Sequence, residues 1–544
     1  MRFSRPLKSS TQSLPSPDGA FITTILPSQL SIRETRSLEI IRAITLPSDL
    51  ATSISWFLWS ESSSRILLGS AEHIRVYSAT NSKFLANIAH PTAGSTKVTF
   101  VTFGASEDEI LVFSDHGLKV SIYNLSTSKS VDINAPKFYN PGVAAKGYSY
   151  RPDTSHLALL TRSNGKDVIS IHTPGTLDVI RSWWPQSIDA QGLCWSPDGR
   201  WLVVWESASQ GHALFVYTAD GHLFKTWNGP ISAVDEIDSA LGEVDSALGA
   251  GIKIFECSGN GAHIAIGDHS MRVSILGAPW FTESMGMVHT AAVKPAESLQ
   301  IWQEQILPSQ NGLTRGFIEA TQSICPPTAP PPPSNTDTKT GTNLLTFDKS
   351  GTLLATRIEN MPSTAWIWDI GTRILRTVII LHAPIAKVSW HPTIDELLMI
   401  RCEGDEARGL VHLWDPSWES PQIIDFAKQI PGGKLLGKTI VRWLNVNSAH
   451  PVIFFSDSQD CMLASLSEEQ DGDVPWQDAE LRSFDIYGQR EESPLNLVPA
   501  NEKHTNGKVS IADLIEDDDG MMGMSGGSDE VDDTFQFRKF VEPS

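Results

Sequence analysis

"CWSPDGRWLVVW", Cys194 to Trp205, decides how this chain folds. A short apolar run ends in Ser-Pro-Asp-Gly, and an aromatic-rich apolar run follows at once. Asp-Gly supplies the positive-φ geometry of a tight turn between antiparallel strands. The two runs therefore predict a hairpin.

The same grammar recurs along the chain. "LPSPDGAFITTIL" begins at Leu14, "WFLWSESSSRILLGS" at Trp56, "VTFGASEDEILVFS" at Val101 and "GYSYRPDTSHLALLT" at Gly147. After the quoted copy come "FECSGNGAHIAIGD" from Phe255, "LTFDKSGTLLATR" from Leu345, "VSWHPTIDELLMIR" from Val388 and "VRWLNVNSAHPVIFFS" from Val441. Where nothing is inserted the spacing is about 43–47 residues, the period of a propeller blade. Each copy continues into a third run, such as "ALFVY" at Ala213–Tyr217, then a second turn and a fourth run. Apolar residues fall too densely for simple alternation, as in strands covered on both faces.

The expected fold is all-β: a β-propeller of about nine four-stranded repeats within residues 1–466. A single ring is the first choice. A seven-bladed ring with extra blades, or two propellers, stays open. The ninth copy runs out of strand pattern after "CMLASL", Cys461–Leu466, so its outer strand is missing. "MRFSRPLKSS" at the N-terminus is the candidate to supply it and close the ring, which removes an exposed edge.

Two interruptions break the rhythm. Residues 235–250 hold the tandem duplication "EIDSALGEVDSALGA", whose Ile237, Leu241, Val244 and Leu248 would form one apolar stripe on a helix. Residues 310–342, with "CPPTAPPPPSNTD", are expected to form a Pro-rich loop between blades 6 and 7. Residues 467–544 are acidic and read as a largely disordered tail, with "FQFRKFVEP" as an aromatic-basic island.

The chain has 544 residues, 63 acidic against 42 basic, and a formal charge of −21. Such a surface repels nucleic acid and anionic membranes, and no run reaches the length of a membrane span. The five cysteines form no CxxC pair and suit a reducing compartment. The N-terminus lacks the apolar segment of a secretory signal. A cytosolic or nuclear location is expected.

Catalytic patterns are weak. "GGKLLGKT", Gly432–Thr439, satisfies a phosphate-loop expression in which Lys438 would reach phosphate and Thr439 would hold magnesium. That loop must run into a helix, and β-rich sequence follows instead. The expectation is a Gly-rich turn between blades 8 and 9. No zinc spacing or nucleophile motif is present, so no cofactor, metal or enzymatic activity is expected. His382 and His391 flank one strand and are expected to bond Asp or Ser groups between blades. Trp195, Trp201, Trp366 and Trp390 read as blade core. Trp183 and Trp184 cannot both face inward on a strand, which makes them candidates for partner contact.

Trp368-Asp369 and Trp414-Asp415 end their third strands with the dipeptide that resembles the WD-repeat signature, in which Trp packs between blades. "LLATRIENMPSTAWIWDI", Leu353–Ile370, closely resembles a family of centrosomal and spindle-pole-body WD-repeat proteins, the WD-repeat protein eight or WRAP seventy-three-like family. "GLCWSPDGRWLVVWESASQGHALFVYTADGHLF", Gly192–Phe224, is similar to its middle repeat. The likeness spans roughly residues 14–466 and fits a fungal member; the duplication and the acidic tail lie outside it. The resemblance implies a non-catalytic scaffold at the spindle pole body. Its implied partners are a coiled-coil microtubule-anchoring protein, a minus-end-directed kinesin-14 and other pole components, and together they tether microtubule minus ends. With a charge of −21, strong direct binding to acidic tubulin is not expected. A WD40 adaptor in ubiquitin ligation or RNA processing is the alternative.

Overall fold

A computed structural model describes residues 1–476 except 48–49, 51–52, 71, 90–97, 115–116, 138–146, 231–249, 310–311, 331–340, 447–449 and 468–473. The duplication at 236–249, much of the Pro-rich stretch and the tail beyond 476 therefore lie outside the described residues. Among the described residues, thirty-nine strands form nine sheets.

Eight blades each hold four consecutive antiparallel strands, in chain order 13–45, 56–89, 98–134, 148–183, 190–227, 252–288, 342–380 and 385–425. The ninth starts at 440 and is completed from the other end of the chain. Arg2–Phe3 and Leu7–Lys8 both pair with Asp460–Ser465, in the registers Phe3↔Ala464 and Leu7↔Cys461. Ser4 N–H donates to the Leu463 carbonyl at 2.9 Å, and Leu463 N–H returns to the Ser4 hydroxyl at 2.9 Å. The N-terminal segment is thus the outer strand that the ninth repeat lacks.

The repeated turn works through its side chains. In blade 5 the Ser196 hydroxyl donates to Asp198 and accepts from Trp201 N–H at 3.0 Å, while Asp198 accepts from Arg200 N–H at 3.1 Å. Gly199 sits at φ 66°, where a Cβ would be strained. Blade 1 repeats the pattern with Ser16 and Asp18, blade 6 with Ser258 and Asn260. Each turn satisfies its own backbone donors, so degenerate sequence around it is tolerated.

Packing closes the ring. Nine apolar clusters are found among the described residues, one between each pair of neighbouring blades. The closing cluster joins Ile22 and Leu38 of blade 1 to Leu444, Val452 and Phe454 of blade 9. A single nine-bladed ring follows. Trp476 is buried in that same cluster, so the packed chain continues past residue 466.

First strands lie innermost, because those of neighbouring blades contact one another. Tryptophans staple them. Trp390 Nε1 donates to the Thr346 carbonyl at 2.9 Å and Trp443 Nε1 to the Ser389 carbonyl at 3.1 Å.

One expectation needs correction. Residues 310–342 are not simply a loop, because Gly312–Glu319 is a strand. It pairs with Gln300–Ser309, which runs parallel to the outer strand Ile374–Ile380 of blade 7. The hairpin gives blade 7 six strands. Apolar residues on the hairpin, Ile301 and Trp302, are buried, which outweighs the prolines that follow.

Candidate functional site: the channel and the outer rim

The WD positions are structural anchors. Trp368 is buried between blades 6 and 7, and its Nε1 donates to the Thr356 hydroxyl at 2.9 Å. His289 Nε2 lies 2.7 Å from the same hydroxyl, and its Nδ1 lies 2.9 Å from the Met271 carbonyl. The carbonyl can only accept, so Nδ1 carries the proton and Nε2 accepts from Thr356. Burial pushes His289 down to about 4, which keeps this tautomer neutral. Trp414 is buried between blades 7 and 8, edge-on to Trp390. Asp369 accepts from Thr372 N–H at 2.9 Å and Asp415 from Ser417 N–H at 2.8 Å, each closing its own turn.

The hairpin carries a buried charge network. Glu304 receives Arg315 Nη1 at 3.0 Å, the His382 N–H at 2.9 Å and sits 3.2 Å from His412 Nε2 of blade 8. Burial alone would raise the Glu304 carboxyl, but His412, His382 and Arg315 outweigh it and hold it at about 2. The network ties the inserted hairpin to the next blade.

Residues of the innermost strands line the channel. One cavity of about 440 Å³ is walled by blades 2 to 6, with Phe103, Tyr150, Cys194, Glu256 and Cys257 among its lining. Burial raises Glu256 to about 7, against a bond from Phe347 N–H that lowers it. The Cys194 and Cys257 sulfurs are 3.8 Å apart across blades 5 and 6.

The outer rim is apolar over blades 4 to 6. Val179 and Ile180 are exposed on the outer strand of blade 4, Leu223 and Phe224 on that of blade 5, and Trp280 at blade 6. Phe224 of blade 5 packs on Trp201 and on the buried Phe281 of blade 6. Trp183 turns inward against Tyr217, with ring centroids 5.9 Å apart, whereas Trp184 is 74% exposed. Exposed large apolar side chains gathered on one part of a surface mark candidate interaction sites.

No protein-family profile matches the chain. It is 22% identical over 457 residues to an uncharacterised WD repeat-containing protein of Schizosaccharomyces pombe, covering 81% of this chain and 87% of that one. It is 23% identical over 422 residues to WD repeat-containing protein WRAP73 of Mus musculus, covering 74% of this chain and 84% of the relative. Both of these relatives are WD repeat-containing proteins, and the likeness to each runs over most of this chain and most of theirs. Among solved structures it is similar to the Dos1 propeller, at a TM-score of 0.43, 12% identity, and coverage of 76% of this chain and 93% of that one.

In this propeller Gly432–Thr439 leads into the strand Ile440–Leu444, not a helix. Leu435 is buried between blades 8 and 9, and Leu436 N–H donates to Asp457 at 2.9 Å. The loop directs an amide into the fold, unlike a phosphate cradle. His391 departs from expectation: its Nδ1 accepts from Thr393 and Ile394 N–H groups, so it caps a turn of its own blade. His382 contributes its backbone N–H to Glu304. Trp201 is only partly buried, and Trp195, Trp366 and Trp390 are buried. Sequence reasoning missed the His289–Thr356–Trp368 network and Glu304. The histidine at the end of "GMVHT" and the Thr of "LLATR" are signals for the first.

Proposed function

We propose that this WRAP73-like propeller is a non-catalytic scaffold of the spindle pole body, in the cytoplasmic cytoskeleton. It acts with a coiled-coil anchoring protein and a minus-end-directed kinesin-14 to tether spindle microtubule minus ends. The observation that carries the reading is the apolar rim of blades 4 to 6, with Trp184, Leu223, Phe224 and Trp280 exposed on a rigid ring. An amphipathic helix lays its apolar face on such a surface, and aromatic anchors dominate such contacts. The charge of −21 supports an indirect grip on acidic tubulin, with a basic partner supplying the contact. The similarity to mouse WRAP73 supports the family setting.

The test is affinity purification of the tagged full chain from dividing cells, followed by mass spectrometry. The reading expects a coiled-coil protein and a kinesin-14, both lost from the Trp184→Ala/Phe224→Asp/Trp280→Ala variant. Recovery of ubiquitin-ligase or RNA-processing subunits instead would overturn it, as would tight cosedimentation of the purified chain alone with microtubules.

A further inference from the structure

We propose that Cys194 and Cys257 form a reversible redox site, a disulfide that opens and closes across the seam between blades 5 and 6. Cys194 lies on the strand Ala190–Trp195 and Cys257 on Ile252–Cys257, the innermost strands of the two blades. The residues are 63 apart in sequence, yet their sulfurs stand 3.8 Å from each other. Among the described residues they are the one pair of cysteines in contact. A bond between them would join two blades that otherwise meet there only through apolar packing.

Their surroundings separate this pair from the other thiols. Cys402 and Cys461 are buried, and burial pushes each thiol up to about 12. Such cysteines are inert core residues. Cys194 and Cys257 are each partly exposed, and both line the one channel cavity of about 440 Å³. A small reagent in that cavity reaches both sulfurs. The bond to Cys194, and then burial, hold the Cys257 thiol well above its usual range. Cys257 is thus the S–H donor and the Cys194 sulfur the acceptor, which makes Cys194 the attacking group and Cys257 the resolving one. Among the described residues no Lys, Arg or His lines the cavity, and Glu256 and Asp198 raise Cys257 further. The pair therefore rests as a dithiol while the compartment is reducing.

The oxidant is a low-molecular-weight disulfide of the glutathione type. The Cys194 sulfur gives its proton to solvent and attacks one sulfur of the oxidant. A bond forms to Cys194, the oxidant's S–S bond breaks, and one glutathione thiolate leaves and takes up a proton. Cys257 then loses its proton and attacks the Cys194 sulfur, which expels the second glutathione thiolate. The protein has lost two protons and two electrons, and the oxidant has become two thiols. Excess thiol runs the same steps backwards.

Peptide mapping without reductant tests this on the full chain carrying Cys325→Ser, which removes the exposed thiol. After incubation with glutathione disulfide, the expected product is a Cys194–Cys257 linked peptide, two hydrogens lighter than its parts. It should vanish on incubation with excess reduced glutathione. The oxidised protein should melt higher than the reduced one by at least about 2 °C, because the bond restricts the unfolded chain. Further replacement by Cys194→Ser or Cys257→Ser should abolish both the linked peptide and the oxidant's effect on melting. The proposal is overturned if no linked peptide forms, if the link uses another cysteine, if reduced glutathione does not reverse it, or if the oxidised protein melts no higher.

Discussion

The indole N–H of Trp390 donates to the main-chain carbonyl of Thr346, 2.9 Å away, and so joins the innermost strands of blades 8 and 7. Trp390→Phe keeps most of the buried ring but removes the donor, and should destabilise by about 1–2 kcal/mol. Trp390→Ala adds a cavity and should reach roughly 3–5 kcal/mol. Urea unfolding of the two variants checks the split.

The Glu304 network predicts a pH-dependent stability. The folded carboxyl is held at about 2, below the ordinary 4.5. Its contribution is therefore fully present above about pH 4.5 and lost as pH falls through 2. Glu304→Gln leaves Arg315 and His412 without their carboxylate, and should cost about 3–5 kcal/mol near neutrality. The gap to wild type should narrow as pH falls through that window, read from urea midpoints at matched pH.

Glu256 predicts the opposite sign. Burial raises its carboxyl to about 7 from 4.5. The folded state then holds a proton that the unfolded chain has released. Its stabilising contribution is present below about pH 4.5 and lost as pH rises through 7, a change on the order of 3 kcal/mol. Glu256→Gln should melt close to wild type at pH 5 and above it at pH 8 in thermal scans.

Ring closure by the N-terminal segment predicts that removal of residues 1–8 bares the edge strand Asp460–Ser465. An open edge recruits other chains. The truncated protein should melt lower and elute as larger species in size-exclusion chromatography, with loss of protection at Leu463 in hydrogen exchange.

The sequence made the repeat legible because each turn is a local device. Ser196, Asp198 and Gly199 act within five residues of each other, so their chemistry shows in a short window. The missing outer strand was visible for the same reason, as an absent fourth run after Leu466. The inserted hairpin was not, because Gln300–Ser309 takes a parallel partner in Ile374–Ile380, far along the chain, and prolines lie between. His289 and Thr356 are 67 residues apart, and no local pattern links them. Trp184 could be flagged from alternation, but the apolar rim needed Leu223 and Phe224 of blade 5 and Trp280 of blade 6 to be exposed on neighbouring blades.

The central functional reading is tested most directly by imaging in dividing cells of the fluorescently tagged full chain and of Trp184→Ala/Phe224→Asp/Trp280→Ala. The account predicts persistent spots at both spindle poles for the wild type and diffuse signal for the variant at equal abundance. Wild-type protein absent from the poles, or a variant that still marks them as strongly, would contradict it.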